Sequence, residues 1–138
     1  MTERTLAASA GDVEVGDLIM ITSGGITVGL ATNAATAIVG IAAEDIDDIA
    51  STQTLRIQVP TSVESTMIGA VTDGAIAAGD TDGGRTCDLE DHAGADTDTD
   101  THHTLLIVKG RVATADGATT AGEAEFKIAQ LELQINSF

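Results

Sequence analysis

The chain of 138 residues carries 22 Asp and Glu against 6 Lys and Arg, which gives a formal net charge of −16 at pH 7. This balance argues against a nucleic-acid partner, because phosphate neutralisation needs clustered Lys and Arg, and it disfavours an anionic membrane surface for the same reason. The single cysteine, Cys87, excludes an intrachain disulfide and a multi-cysteine metal site.

The apolar residues predict a core that is almost free of aromatic rings. Hydrophobic residues make up 43% of the chain and aromatic residues only 1%. Fully buried Ile, Val and Leu contribute about 1.5–3 kcal/mol each, and none supplies the roughly 150–250 Å² that an aromatic ring buries. We therefore expect surfaces of partner chains to add to the stability of the monomer.

The acidic surface also suggests a halophilic source. Acidic, lysine-poor proteins stay hydrated in concentrated salt, where a Debye length of about 3 Å at 1 M screens their self-repulsion. The sequence has no apolar run of membrane-span length and no long apolar signal segment near Met1. We expect a protein that is used without export.

The first part of the chain predicts an arm followed by a hairpin. Residues 1–10 are small and polar apart from Leu6, which is typical of an arm that only a partner orders. Leu18 to Thr22 and Ile26 to Ala31 read as two strands joined by a tight turn at Gly24-Gly25.

The stretch AIVGIAAEDI, Ala37 to Ile46, predicts a third strand that is buried on both faces. Its central Gly40 indicates a bulge, a sharp bend or a close backbone approach. The acids that follow, Glu44, Asp45, Asp47 and Asp48, suit a solvated strand end better than a general acid/base pair, because no aromatic sugar platform or basic clamp accompanies them.

The middle of the chain predicts one clear strand and one acidic loop. Leu55, Ile57 and Val59 alternate with polar residues, and Pro60 closes that strand or places it at an edge. Residues 92–103 form a low-complexity loop, in which Asp96, Asp98 and Asp100 are spaced like calcium ligands.

A calcium loop would also need glycine at position 101, which is Thr101, and a bidentate glutamate at position 107, which is Ile107. Both requirements fail, so we expect a solvated acidic loop and no metal site.

The C-terminal part predicts a strand from "TLLIVKGRVAT" and a final alternating strand from "EFKIAQLELQINSF". Phe126 and Ile128 differ in parity from Leu131 and the later apolar residues, which predicts a bulge near Ala129-Gln130. A helix over Gly122 to Leu133 is the competing interpretation.

Many short strands with glycine turns predict an all-β fold, a small antiparallel β-barrel or sandwich with an extended N-terminal arm. Residues 11–138 would form a single β-rich domain, which the acidic loop 92–103 divides.

Nothing in the sequence assembles an enzyme site. Cys87 has Arg85 two residues away, but Asp88, Glu90 and Asp91 would oppose a thiolate. We expect a small buried residue there, and we expect no enzymatic activity and no cofactor.

The segment GDLIMITSGGITVGLATNAATAIVGIAAEDI, Gly16 to Ile46, resembles the opening of the capsid decoration, or cement, proteins of tailed bacteriophages and tailed archaeal viruses. The shared features are a glycine-aspartate turn, a strand ending in Thr-Ser-Gly, a return strand ending in Ala, and a hydrophobic strand that closes on Glu44-Asp45. The likeness is good over about the first sixty residues and loose afterwards.

This resemblance implies a structural virion protein on the outer surface of an icosahedral capsid, made in the host cytoplasm. It implies a homotrimer whose partner is the major capsid protein. The residues expected at capsid or oligomer contacts are Arg4, Leu6, Phe126, Ile135 and Phe138. The alternative is a calcium- or glycan-binding β-domain of a non-viral or fibre protein.

Overall fold

The computed structural model describes residues 2–7, 11–22, 27–35, 38–49, 53–60 and 65–129. Within these residues the chain forms β-strands and no helix, so the predicted all-β class is confirmed. None of the described segments offers a helix long and apolar enough to cross a membrane. The strands are β1 (Thr2–Leu6), β2 (Leu18–Ile21), β3 (Thr27–Leu30), β4 (Gly40–Ala42), β5 (Gln53–Gln58), β6 (Thr66–Asp73), β7 (Thr86–Asp91), β8 (Gly94–Asp96), β9 (Leu105–Val112) and β10 (Gly122–Ile128).

The strands close into two five-stranded barrels with the same topology. The first runs β1-β3-β2-β4-β5 and the second runs β6-β8-β7-β9-β10. Neighbours are antiparallel except for β1 with β3 and β6 with β8, which are parallel. The predicted small β-barrel is confirmed, and each barrel also contains one parallel pair. The first and third strands of each barrel run in the same direction because one reversed strand separates them along the chain.

A short sequence motif recurs at the same place in both barrels. Residues 11–17 read GDVEVGD and residues 74–80 read GAIAAGD, and each segment lies between the first and second strands of its barrel. The second glycine of each motif has a positive φ, 98° at Gly16 and 90° at Gly79, a conformation that side chains other than glycine rarely adopt.

The pairing of the two motifs is also equivalent. Val13 bridges Ile46 and Ile76 bridges Thr114, in both cases antiparallel. In each motif the second glycine donates a hydrogen bond to the fourth strand of its barrel, Gly16 N–H to Ala42 O at 3.0 Å and Gly79 N–H to Gly110 O at 2.9 Å. The two halves of the chain are thus structural repeats.

The two barrels pack against each other through the outer surface of β2 and β4. Leu18, Ala35 and Ile38 belong to the same apolar cluster as the core of the second barrel. The Leu18 N–H donates to His92 O at 2.9 Å, and Thr104 Oγ1 donates to Ala35 O at 2.6 Å. The boundary between the barrels lies between Gln58 and Thr66 rather than in the acidic loop.

The predicted third strand is buried on both faces, as expected. Val39 and Ala42 lie in the core of the first barrel, whereas Ile38 and Ile41 pack against the cluster of the second barrel. The covering segment is therefore the second barrel of the same chain. Gly40 marks a close backbone approach, since a Cβ there would lie 2.6 Å from Gln58 O.

Two predictions made from local composition were wrong. Thr2–Leu6, expected to be part of an arm, forms β1 because β5 and β3 offer it a partner on each side. The loop 92–103 contains β8, whose three residues are all buried. Small residues at Gly94 and Ala95 let this acidic stretch enter the barrel wall.

The final strand is confirmed over the helical alternative as far as Ile128. Side chains of β10 alternate strictly between buried and half-buried positions from Gly122 to Ile128. Its ladder with β9 shifts register between Glu123 and Ala124 and between Glu125 and Phe126. The predicted bulge falls at the boundary of the described residues, since residues 130–138 lie outside them.

Candidate functional site

The outward surface of β6, β10 and β9 is the most distinctive surface of the second barrel. In register, Glu125 lies between Ile68 and Lys109, and Glu123 lies between Ala70 and Val112. We call this surface the β10 face. It is formed by Ile68, Ala70, Lys109, Arg111, Val112, Glu123, Glu125 and Lys127.

The β10 face concentrates the few cations of an acidic chain. Lys109 and Arg111 on β9 and Lys127 on β10 are three of its 6 Lys and Arg residues. Arg111 Nε lies 3.2 Å from Glu123 Oε1, and this accessible pair contributes only about 0–1 kcal/mol. The face therefore carries alternating charges of both signs, whereas the rest of the molecule is strongly acidic.

Large apolar side chains flank the charges on the β10 face. Ile68 is 56% exposed and Val112 is 51% exposed, and β10 runs between the strands that carry them. Val15, 63% exposed, belongs to the first glycine motif, whose Gly16 lines a pocket together with Ile68 and Ala70. Ile68 and Val112 are two of the three exposed large hydrophobic residues in the described part of the chain, which makes the β10 face a candidate contact surface.

Of the predicted contact residues that the structure describes, two are buried in the cores. Leu6 is 0% exposed in the core of the first barrel, and Phe126 is 1% exposed in the core of the second, so both stabilise the monomer. Arg4 lies on β1 opposite Leu55 and is half-buried. Ile135 and Phe138 lie outside the described residues.

A cluster of carboxylates lies at one end of the second barrel. Carboxylate oxygens of Asp73, Asp98 and Asp116 lie within 4.8 Å of one another. Carboxylate oxygens of Asp73, Glu90 and Asp96 are equally close. Desolvation and the nearby charges of Asp116 and Asp73 raise the pKa of Asp98. Desolvation and the charge of Asp73 likewise raise the pKa of Glu90.

Asp96, Asp98 and Asp100, which are spaced along the chain like calcium ligands, are held by different groups. Asp96 Oδ1 accepts a hydrogen bond from Asp98 N–H at 2.9 Å. Asp100 accepts one from Thr86 Oγ1 at 2.8 Å, and its other oxygen lies 2.7 Å from His103 Nδ1. Asp96 and Asp98 approach Asp73 instead, so the spacing along the chain does not assemble one three-carboxylate site.

Asp88 is a structural residue that the sequence analysis missed. It is buried, and it accepts hydrogen bonds from three successive backbone N–H groups, those of Thr101, His102 and His103, at 2.7–3.1 Å. Burial opposes ionisation, but these hydrogen bonds outweigh it and lower the pKa of Asp88. The sequence TCDLED does not distinguish Asp88 from Glu90 and Asp91, which lie exposed on the same strand.

Cys87 is buried in the second core, as predicted. Burial raises the pKa of its thiol to about 12, and the charge of Arg85 only partly opposes this shift. Because the thiolate is the nucleophilic form, Cys87 is inert at neutral pH.

The acids after β4 support the first barrel. Glu44 accepts hydrogen bonds from Arg56 N–H at 3.0 Å and Arg56 Nε at 3.1 Å, and the backbone hydrogen bond lowers the pKa of Glu44 most. Asp45 Oδ1 accepts a hydrogen bond from Val15 N–H at 2.8 Å. These hydrogen bonds hold the segment after β4 against β5 and against the first glycine motif.

No family model matches the chain, and neither the curated proteins nor the solved structures contain a significant match to it.

Proposed function

We propose that this protein is a structural virion protein that binds the outer surface of an icosahedral capsid as a homotrimer and stabilises contacts between major capsid subunits. The observation that supports this most directly is the β10 face, with its mixed charges and exposed Ile68 and Val112. The order of turn, hairpin and acid-terminated strand from Gly16 to Ile46, which resembles the decoration proteins, supports it independently.

The charge distribution suits contact with another protein through the β10 face. A chain of net charge −16 repels acidic partners over most of its surface. Lys109, Arg111 and Lys127 reduce that repulsion on one face and offer donors to carboxylates of the partner. Docking would therefore be oriented, with the β10 face toward the partner.

The apolar residues on the β10 face supply affinity that charges alone do not. Ile68 and Val112 are about half exposed, so burial under a partner removes apolar surface from water at about 25 cal/mol per Å². A few such side chains at the centre of a contact carry most of its binding free energy.

The test is binding of the purified protein to undecorated heads from the virus that encodes it, under native salt. Ile68→Asp should weaken binding by on the order of tenfold or more, because it places a charge in the centre of the contact. Thr54→Asp is the control, with the same charge change at an exposed position on β5 of the first barrel. No binding of the wild-type protein, or equal loss in both variants, would contradict the proposal.

The oligomeric part of the proposal has its own measurement. Size-exclusion chromatography with light scattering should give three times the chain mass of 13.9 kDa, either free or after release from heads. A monomer both in solution and on the heads would refute the homotrimer while leaving capsid binding open to the first test.

The alternative function, a calcium- or glycan-binding β-domain, makes different predictions. It predicts that chelation lowers the melting temperature, or that a sugar binds to the isolated protein. Glycan binding would have to proceed without Trp or Tyr, which are absent from the chain. Unchanged melting in chelator together with binding to heads would favour the capsid function.

A further inference from the structure

A pocket of about 50 Å³ lies along strand β6, where the second barrel meets the first. Its inner wall is apolar and consists of residues of one core cluster, among them Leu18, Leu89, Leu105 and Phe126. The volume exceeds the roughly 10–15 Å³ that one water molecule needs and is smaller than the roughly 150 Å³ that accommodates benzene. The pocket therefore suits one small aliphatic group.

Gly69 of β6 keeps this pocket open. It pairs with Ala124, which is fully buried, so a side chain at position 69 would point into the barrel. A Cβ built there would meet only two carbons of the Phe126 ring, both at 3.5 Å, which is ordinary contact. Gly69 does not have a positive φ, and glycine weakens a strand relative to alanine. The fold of the monomer thus gives no reason for glycine at this position, whereas an open pocket does.

The pocket adjoins the β10 face. Ile68 and Ala70 belong to that face and also line the pocket, together with the exposed Ala93. The side chain of Ile68 is 56% exposed, so a partner can contact it directly beside the pocket. A partner that docks on the β10 face therefore reaches the pocket with a neighbouring side chain.

The charges of the β10 face select the chemistry of that partner. Ile68, Glu125 and Lys109 lie opposite one another on three neighbouring strands. Lys109 is thus two strand spacings, about 10 Å, from Ile68. Three residues of extended chain cover about the same distance. A complementary segment therefore carries an aliphatic side chain at the pocket, a carboxylate three residues along for Lys109, and uncharged residues over Glu125 between them.

We propose that the pocket beside Gly69 receives a small aliphatic side chain of the major capsid subunit, from a segment that also offers a carboxylate to Lys109. Because the occupant belongs to the capsid, this proposal rests on the proposed function and adds the chemistry of the partner to it. Filling the pocket gives its lining the van der Waals contacts that the free protein lacks. Since Leu18 of the first barrel lines the pocket with residues of the second, the occupant contacts both barrels.

Xenon tests the pocket in the isolated protein, because this apolar atom binds in cavities lined by aliphatic and aromatic side chains. Under xenon pressure, the amide NMR signals of Gly69 and Ala95 should shift with saturation. Gly69→Ala should weaken xenon binding several-fold, since its methyl group takes up part of the space. Ala34→Val is the control, because it enlarges an exposed alanine that does not line the pocket. No saturable shift in the wild type, or the same shift in Gly69→Ala, would overturn the proposal.

Binding to undecorated heads under native salt tests the occupant. Gly69→Ala should weaken binding about fourfold, which corresponds to the loss of roughly one buried CH₂ group, whereas Ala34→Val should bind like the wild type. Wild-type affinity of Gly69→Ala alongside weakened binding of Ile68→Asp would overturn the pocket proposal and leave the capsid function standing. Absence of wild-type binding would contradict the capsid function and the occupant with it. A lower mass of Gly69→Ala in light scattering would also overturn the proposal, since the occupant would then be a second copy of this chain.

Discussion

Gly40→Ala tests whether the close approach of β4 and β5 limits the first barrel. An alanine Cβ would lie 2.5 Å from Ile57 Cγ2 and 2.6 Å from Gln58 O. The methyl group of Ile57 can rotate away, but the carbonyl of Gln58 is held by the ladder in which Gln58 pairs with Ile41. Gly40 does not have a positive φ, so the effect of the substitution is steric.

The loss of stability expected for Gly40→Ala follows from two opposing effects. Overpacking against fixed backbone costs about 3 kcal/mol, the upper part of the usual range, and alanine recovers about 0.5–1 kcal/mol of the chain entropy that glycine loses on folding. We therefore expect the free energy of unfolding to fall by about 2 kcal/mol, a large fraction of a typical domain stability of about 5–15 kcal/mol.

Urea unfolding followed by circular dichroism measures this change by linear extrapolation. Gly69→Ala is the matched control, because a Cβ there would make only ordinary contact, 3.5 Å from the Phe126 ring. The control should stay within about 0.5 kcal/mol of wild type. If Gly40→Ala is as stable as Gly69→Ala, the close approach does not constrain the barrel and the reasoning is refuted.

Three further predictions concern charge. Asp88→Asn should lower the free energy of unfolding by about 2–3 kcal/mol. Because the pKa of Asp88 is lowered, its ionised form gives stability that is present above about pH 4 and is lost as the pH falls through the folded pKa, so the variant should lose less stability than wild type on acidification. Parallel profiles of stability against pH in urea unfolding would contradict this. Asp98→Asn should raise the melting temperature at neutral pH and low salt. The raised pKa of Asp98 means that its ionised form destabilises the fold at every pH above the folded pKa. A lower melting temperature in the variant would exclude carboxylate repulsion at this site. The wild-type protein should melt at a higher temperature in multimolar KCl than in low salt, and equal melting would reject the halophilic hypothesis.

Local sequence patterns predicted the strands whose partners lie nearby. The hairpin of β2 and β3 and the alternation of β5 and β10 follow from period-two patterns within a few residues. The strand β1 was missed because its five residues have no pattern of their own, and its pairing with β5 spans about fifty positions of chain. Burial of β8 likewise depends on a parallel partner in β6.

The β10 face was only partly predictable from the sequence, because it also depends on pairing between distant strands. Alternation in β10 indicates that Glu123, Glu125 and Lys127 share one side, but only the register with β6 and β9 adds Ile68 and Val112. The apolar C-terminal strand predicts that Phe126 contacts a partner, whereas Phe126 is the largest buried side chain of the second barrel. The repeated glycine motif was visible in the sequence, and a search for self-similarity would have found it.

The two repeats differ most where one barrel contacts the other. Ala42 and Gly110 are equivalent, since each accepts the hydrogen bond from the second glycine of its motif. The residue before Ala42 is Ile41, which packs against the cluster of the second barrel, and the residue before Gly110 is Lys109, which is exposed. A buried lysine without a partner is costly, so β9 does not offer the docking surface that β4 offers. The same strand position therefore joins the barrels in the first repeat and, in the second, places a cation on the β10 face.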